Sequence, residues 1–293
     1  MFWVLYFIPI GMLVGTLSGF FGIGGGIMVM PILLLAGLKP ALAVATSLMF
    51  TLGTSLSGAF THTKMNNVNW KIAAVIGTVG ALATQGSNRI VIYISGRYDW
   101  LLNFLFILLL LYFAWSLYQR QKKKTAETVA VIKNEYAAAL FIGMIVGFLA
   151  ALFGIGGGFI TIPLLIKWLG FDSRKAIGTS LAAIIIISIG GILGYSARLE
   201  LNFLLGLCLI GGAFIGSPFG ARMTARYKVE EINRRLAILY FFVITSLLVD
   251  LIAAFTSPFL EYVSMGFLAI FLAYMLYDFY KHLHLPLAEE DGG

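Results

Sequence analysis

Nine long apolar runs leave this chain one class of fold. They fall at about 1–38, 41–61, 72–94, 100–118, 136–170, 176–196, 201–221, 236–256 and 259–280. A membrane strand needs only about 9–11 residues, whereas a membrane helix needs about 20. Runs of this length therefore predict helices. A soluble domain carries about 25% charged residues; here 11% are charged and 60% hydrophobic. The expected fold is an all-α polytopic membrane protein whose apolar exterior faces lipid.

The net charge of +7 does not point to nucleic acid. The basic residues sit in short loops between apolar runs, the pattern that orients membrane proteins. Cys208 is the only cysteine, so neither an intramolecular disulfide nor a cysteine metal site is expected. His62, His282 and His284 do not have zinc spacing. No set of nucleophile, base and orienter suggests an enzyme. Gly22-Ile23-Gly24-Gly25-Gly26 lacks the Gly-Lys-Ser/Thr ending of a phosphate-binding loop, and Ile27 occupies the last glycine position of a dinucleotide pattern. No cofactor is expected. The first 38 residues contain no Lys or Arg, unlike the start of a cleavable signal, and are read as part of the mature chain.

An internal repeat organises the runs. GMLVGTLSGFFGIGGGIMVMP at 11–31 and GMIVGFLAALFGIGGGFITIP at 143–163 share 12 of 21 residues. Thr46-Ser47 parallels Thr179-Ser180, Ser55 parallels Ser188, Gly58 parallels Gly191 and Asn69 parallels Asn202. The expected division is a first repeat at 1–118, a basic cytoplasmic linker at 119–135, a second repeat at 136–256, and an added helix and tail at 257–293. As one helix, the first run would measure about 57 Å, nearly twice a hydrocarbon core of about 30 Å. Four glycines in five residues should break it. Each repeat is therefore expected to open with a helical hairpin, giving seven full spans plus two hairpins.

With the linker in the cytoplasm, this arrangement places 16 of the 20 Lys and Arg inside, as the positive-inside rule requires. The N-terminus is then periplasmic and the C-terminus cytoplasmic. Each half makes an odd number of crossings, so the two are inserted in opposite directions, as in many secondary transporters.

The breaks carry the functional expectation. Irregular backbone at membrane depth is tolerated only inside protein or along a wet cavity. A helix that starts there aims free N–H groups and a positive dipole end at its surroundings. Gly22, Gly24, Gly25 and Gly26 with Gly154, Gly156, Gly157 and Gly158 are candidate residues for binding a small anion. The hydroxyls of Thr46, Ser47, Thr179 and Ser180 are candidate donors to its oxygens, with Ser55 and Ser188 as weaker ones. The alternative for the hydroxyls is bonding within or between helices. Gly11-xxx-Gly15-xxx-Gly19 and Gly143-xxx-Gly147 are expected to be packing faces. Asp250 is a candidate coupling group, and Arg222 and Arg89 are candidate vestibule residues or topology anchors. A metal site is not expected.

The doubled glycine pattern, with Thr-Ser about 15 residues after each copy, the Asn69-Trp70 and Asn202-Phe203 pairs and the Gly216-xxx-Gly220-Ala221-Arg222 stretch, resembles the sulfite exporter TauE/SafE family. The likeness covers nearly the whole chain. It implies an inner (plasma) membrane permease of bacterial type for sulfite or organosulfonates, with the glycine breaks as the substrate site. In the first half, Thr84-Gln85-Gly86-Ser87-Asn88 stands where the second has Pro218-Phe219-Gly220-Ala221-Arg222, which leaves Arg222 without a counterpart. The expected function is alternating-access transport, as an exporter, of a small sulfur-containing anion, its partners being that anion and the lipid bilayer. An anion channel and a non-transporting assembly component are the alternatives.

Overall fold

The computed structural model describes residues 7–21, 25–122, 134–224, 226–227, 229–253 and 259–283. Among them are eleven helices and no strand: α1 (Phe7–Phe21), α2 (Gly26–Leu35), α3 (Pro40–Lys64), α4 (Trp70–Ile94), α5 (Asp99–Lys122), α6 (Glu135–Phe153), α7 (Gly158–Leu169), α8 (Ser173–Ser196), α9 (Phe203–Thr224), α10 (Val229–Ala253) and α11 (Phe259–Leu283). Six of them, α3, α6, α8, α9, α10 and α11, contain stretches long and apolar enough to cross a membrane. Large apolar side chains such as Leu82, Leu193, Leu207 and Phe241 lie on the outside, which water would penalise and lipid does not. The chain is an integral membrane protein.

Local chemistry sets the helix starts. The Asn69 side chain accepts from the Ile72 amide at 3.2 Å, and Asn202 accepts from Leu205 at 3.0 Å. The repeated Asn is thus a helix cap. Asn134 and Asp172 cap α6 and α8 in the same way. Pro40 opens α3, where its missing N–H costs nothing. Helix α5 runs to Lys122, four residues into the expected linker, of which 123–133 lie outside the described residues.

The glycine stripes decide the packing. A Cβ on Gly15 would lie 2.5 Å from the Ala213 Cα, with Gly11 against Leu209 and Gly19 against Ser217. These contacts advance together, so α1 and α9 run parallel at close approach. Gly143 meets Ile76 and Gly147 meets Gly80, which packs α6 on α4 in the same way. The expected packing faces are found, and each grips a helix of the other half.

Directions follow from further contacts. Gly206 lies on Met49 and Gly53 on Ile210, so α3 and α9 are parallel. Gly77 lies on Ile186 and Gly190 on Ala81, so α4 and α8 are parallel. Gly58 meets Leu181 while Gly191 meets Leu48, so α3 and α8 are antiparallel. One set, α1, α3 and α9, therefore points opposite to the other, α4, α6 and α8. The last turns of α3 and α9, with Lys64 and Arg222, lie at the same end of the bundle. Helix α7 folds back between α6 and α8: its first residue, Gly158, faces Ser180 and Ile184.

A cluster that the sequence reading did not anticipate joins α10 to α11. Arg235 and Asp278 form a buried bidentate ion pair, Nε to Oδ2 at 2.6 Å and Nη2 to Oδ1 at 2.9 Å. Tyr227 donates to Asp278 at 2.8 Å, and its ring stacks on His282 with centroids 4.1 Å apart. Burial, then Asp278 itself, pushes the Tyr227 hydroxyl well above the usual phenol range, so it stays a donor.

Candidate functional site

Both long first runs are broken at their glycines, as expected. Helix α6 ends at Phe153, and Gly154, Gly156 and Gly157 follow at φ of 68°, 70° and 77° before α7 begins at Gly158. Side chains with a Cβ lose about 1–2 kcal/mol in this left-handed region. In the first half, Gly25 at φ 69° precedes α2. Gly22 and Gly24 lie outside the described residues. Every residue from Gly154 to Gly158 is buried, as are Gly25 and Gly26. That burial is the condition under which irregular backbone survives at membrane depth.

The two breaks meet. Gly26 packs on the Gly154 carbonyl, and a Cβ on it would lie 2.8 Å from the Ile155 Cα. The N-terminus of α2 thus abuts the Gly154-Ile155 turn that leads from α6 into α7. In α2 the Gly25 carbonyl takes the Met28 and Val29 amides, and in α7 the Gly157 carbonyl takes those of Ile160 and Thr161. The amides of Gly26, Ile27, Gly158 and Phe159 precede these bonds and fall outside the intrahelical ladder.

The hydroxyls divide into different roles. The Ser47 Oγ donates to the Gly154 carbonyl at 2.6 Å and lies 3.3 Å from the Gly26 carbonyl, so it ties one break to the other. Thr179 accepts from the Asn69 amide at 3.0 Å, which commits its oxygen to the start of α4. Thr46 is buried at the corresponding place on α3. Ser180 is fully buried, and its Oγ has no hydrogen-bond partner among the described residues. That oxygen lies 3.8 Å from where a Gly158 Cβ would stand, beside the first turn of α7. Ser55 and Ser188 are also buried without partners among the described residues.

Thr51 belongs to this region and was missed in the sequence. Its methyl packs on Gly156, and its hydroxyl donates to the Ser47 carbonyl at 2.9 Å. One helical turn beyond Ser47, it is recognisable only once Ser47 is known to face the break. Tyr195 donates to the Ala151 carbonyl at 2.7 Å and steadies the end of α6.

The charged candidates lie apart. Arg89 and Arg222 are exposed, and Asp250 is half-buried three residues from the end of α10. None is among the nearest neighbours of the described break glycines. The packing also shifts the comparison of the halves by one residue. Gly11 on Leu209 matches Gly143 on Ile76, and Gly15 on Ala213 matches Gly147 on Gly80. In that register Arg89 coincides with Arg222, which therefore has a counterpart. Gln85 and Asn88 coincide with Pro218 and Ala221.

That last difference is visible in the seams. Gln85 Nε2 donates to the Gly190 carbonyl at 2.9 Å and Asn88 Nδ2 to the Gly191 carbonyl at 3.1 Å, latching α4 to α8. The corresponding seam, α3 on α9, instead has a small hollow lined by Thr54, Ser57, Ser217 and apolar neighbours.

Comparison with known proteins places this arrangement in a family. A probable membrane transporter protein of Methanocaldococcus jannaschii, MJ0441, is 33% identical over 197 residues, 64% of this chain and 70% of that protein. The probable membrane transporter protein YdhB of Bacillus subtilis is 30% identical over 216 residues, covering 72% and 86%. YunE of the same organism, also a probable membrane transporter protein, is 25% identical over 254 residues, covering 77% and 90%. No solved structure matches the chain. The sequence profile described as sulfite exporter TauE/SafE matches residues 7–248, and the chain belongs to that membrane transporter family.

Proposed function

We propose that the protein is a secondary transporter, an exporter of a small sulfur-containing anion such as sulfite or an organosulfonate, working by alternating access in the inner (plasma) membrane. Its two halves, about 1–118 and 136–256, form inverted repeats of seven spans plus two hairpins. The antiparallel contact of α3 with α8, where Gly58 on Leu181 is mirrored by Gly191 on Leu48, supports that reading. The N-terminus is external and the C-terminus cytoplasmic, in keeping with the loop charges.

One observation carries the proposal: the two buried breaks, each opening a helix, pack on each other at Gly26 and Gly154, and the Ser180 hydroxyl, without a partner among the described residues, lies beside the first turn of α7. Helix N-termini attract anions through their free amides and dipole. In this conformation the breaks close on each other, so occupancy requires them to part. Parting frees the Ser47 hydroxyl from Gly154, and that donor then turns to the cargo. Rocking of one half against the other would supply the motion. Neither ATP nor a cofactor enters the scheme.

Reconstituted vesicles test it. Radiolabelled sulfite or methanesulfonate should enter saturably, and unlabelled anion inside should accelerate the uptake by exchange. Flux that stays linear in concentration without exchange would point to a channel, and no flux for any small anion would refute transport.

A further inference from the structure

Among the described residues, no charged side chain is placed against the candidate site. The nearest neighbours of its described glycines are neutral, among them Ser18, Ser47, Phe50, Thr51 and Ser180. Arg89 and Arg222 are exposed on α4 and α9. The buried Arg235 is already paired with Asp278. What remains is the partial charge of the helix N-termini in the breaks, at most about half an elementary charge each, with the carbonyl end of α6 at Gly154 set against it. Such partial charges offset one negative charge at most.

The desolvation cost rises with the square of an ion's charge, so a dianion costs about four times as much as a monoanion to bury. Two helix ends and a few hydroxyls offset the smaller cost and not the larger. The Ser180 hydroxyl, fully buried and without a partner among the described residues, adds a neutral donor suited to an oxygen atom rather than a second charge.

From this we infer that the site selects a singly charged oxyanion and rejects dianions of the same shape. Sulfonates and hydrogen sulfite fit; sulfate and the fully deprotonated sulfite ion do not. For a cargo that titrates near neutrality, its protonation sets the transported fraction. The inference rests on the reading of the breaks as the anion site.

Methanesulfonate and methylphosphonate make the test, because they share a shape. The sulfonate is a monoanion throughout the neutral range, whereas the phosphonate becomes a dianion within it. Apparent affinities are read from transport currents of the full-length protein in vesicles as external pH is raised. Methanesulfonate should be unaffected. Methylphosphonate should weaken by about tenfold per pH unit above its second ionisation. Methylphosphonate affinity that holds or rises while methanesulfonate still binds would overturn the charge selection. Weakening of both ligands by Ser180→Ala would then show that the anion site itself stands. No response to either ligand, or responses unchanged by both Ser180→Ala and Gly157→Ala in folded protein, would remove the site and the inference with it.

Discussion

The hydroxyl of Ser47, on α3, donates to the carbonyl oxygen of Gly154 across the pair of breaks at 2.6 Å. Its counterpart Ser180 is equally buried and bonds to no described residue. Equivalent residues thus have different consequences. Ser47→Ala leaves a buried carbonyl short of a donor and should cost about 1–3 kcal/mol, measured by thermal unfolding in detergent. Ser180→Ala removes a buried polar group that lacks such a bond, so stability should hold or rise, while anion affinity should fall several-fold. Equal stability losses in the two variants would contradict this division.

Gly157 and Gly37 separate backbone strain from site geometry. Both have positive φ, 77° and 81°. A Cβ on Gly157 would strike Val146, whereas one on Gly37 meets nothing within 4 Å. Each alanine should cost about 1–2 kcal/mol for the left-handed backbone, and Gly157→Ala more for the collision. Transport should fall only in Gly157→Ala. Loss of transport in a stable Gly37→Ala protein would show that strain anywhere in a hairpin suffices.

The amide latch between α4 and α8 should control access on its side. Ser188, buried on α8, is converted to cysteine in a Cys208→Ala background. Without the latch variants, a membrane-impermeant thiol reagent should not reach it. Adding Gln85→Ala and Asn88→Ala removes the bonds to Gly190 and Gly191, and labelling from the side where α4 ends should increase several-fold. Labelling that does not change would mean that the seam is no gate.

Arg235 and Asp278 should be coupled. Replacing either alone leaves a buried charge unpaired, at a cost of about 3–5 kcal/mol. Replacing both, by Arg235→Met with Asp278→Leu, should recover most of that loss in a thermal-unfolding cycle. Additive losses would show that the pair contributes through separate contacts.

The helices were legible in the sequence because lipid demands long apolar runs, and the breaks because clustered glycines cannot hold a helix. The GxxxG faces were recognisable as packing surfaces, but not their partners. Gly15 and Gly147 grip Ala213 and Gly80 in the opposite halves, and a local pattern carries no address. The different fates of Ser47 and Ser180 were hidden for a related reason: identical dipeptides gain different neighbours once the halves diverge. Matching residues 84–88 to 218–222 paired Asn88 with Arg222, one residue out of the register of Asn69 with Asn202, whereas helix packing pairs Arg89 with it. Arg235 and Asp278 lie 43 residues apart; a charge in a loop count gives no hint that it will be buried.

Selenium offers the most direct view of the proposed site. Selenite has the shape of sulfite and scatters anomalously. In crystals grown near neutral pH with saturating selenite, there mostly the singly charged hydrogen selenite, one strong anomalous peak is expected at the first turn of α7, within hydrogen-bond reach of the Ser180 hydroxyl and lost in Ser180→Ala with Gly157→Ala. An ordered peak elsewhere in the bundle, with the two breaks still closed on each other, would contradict it.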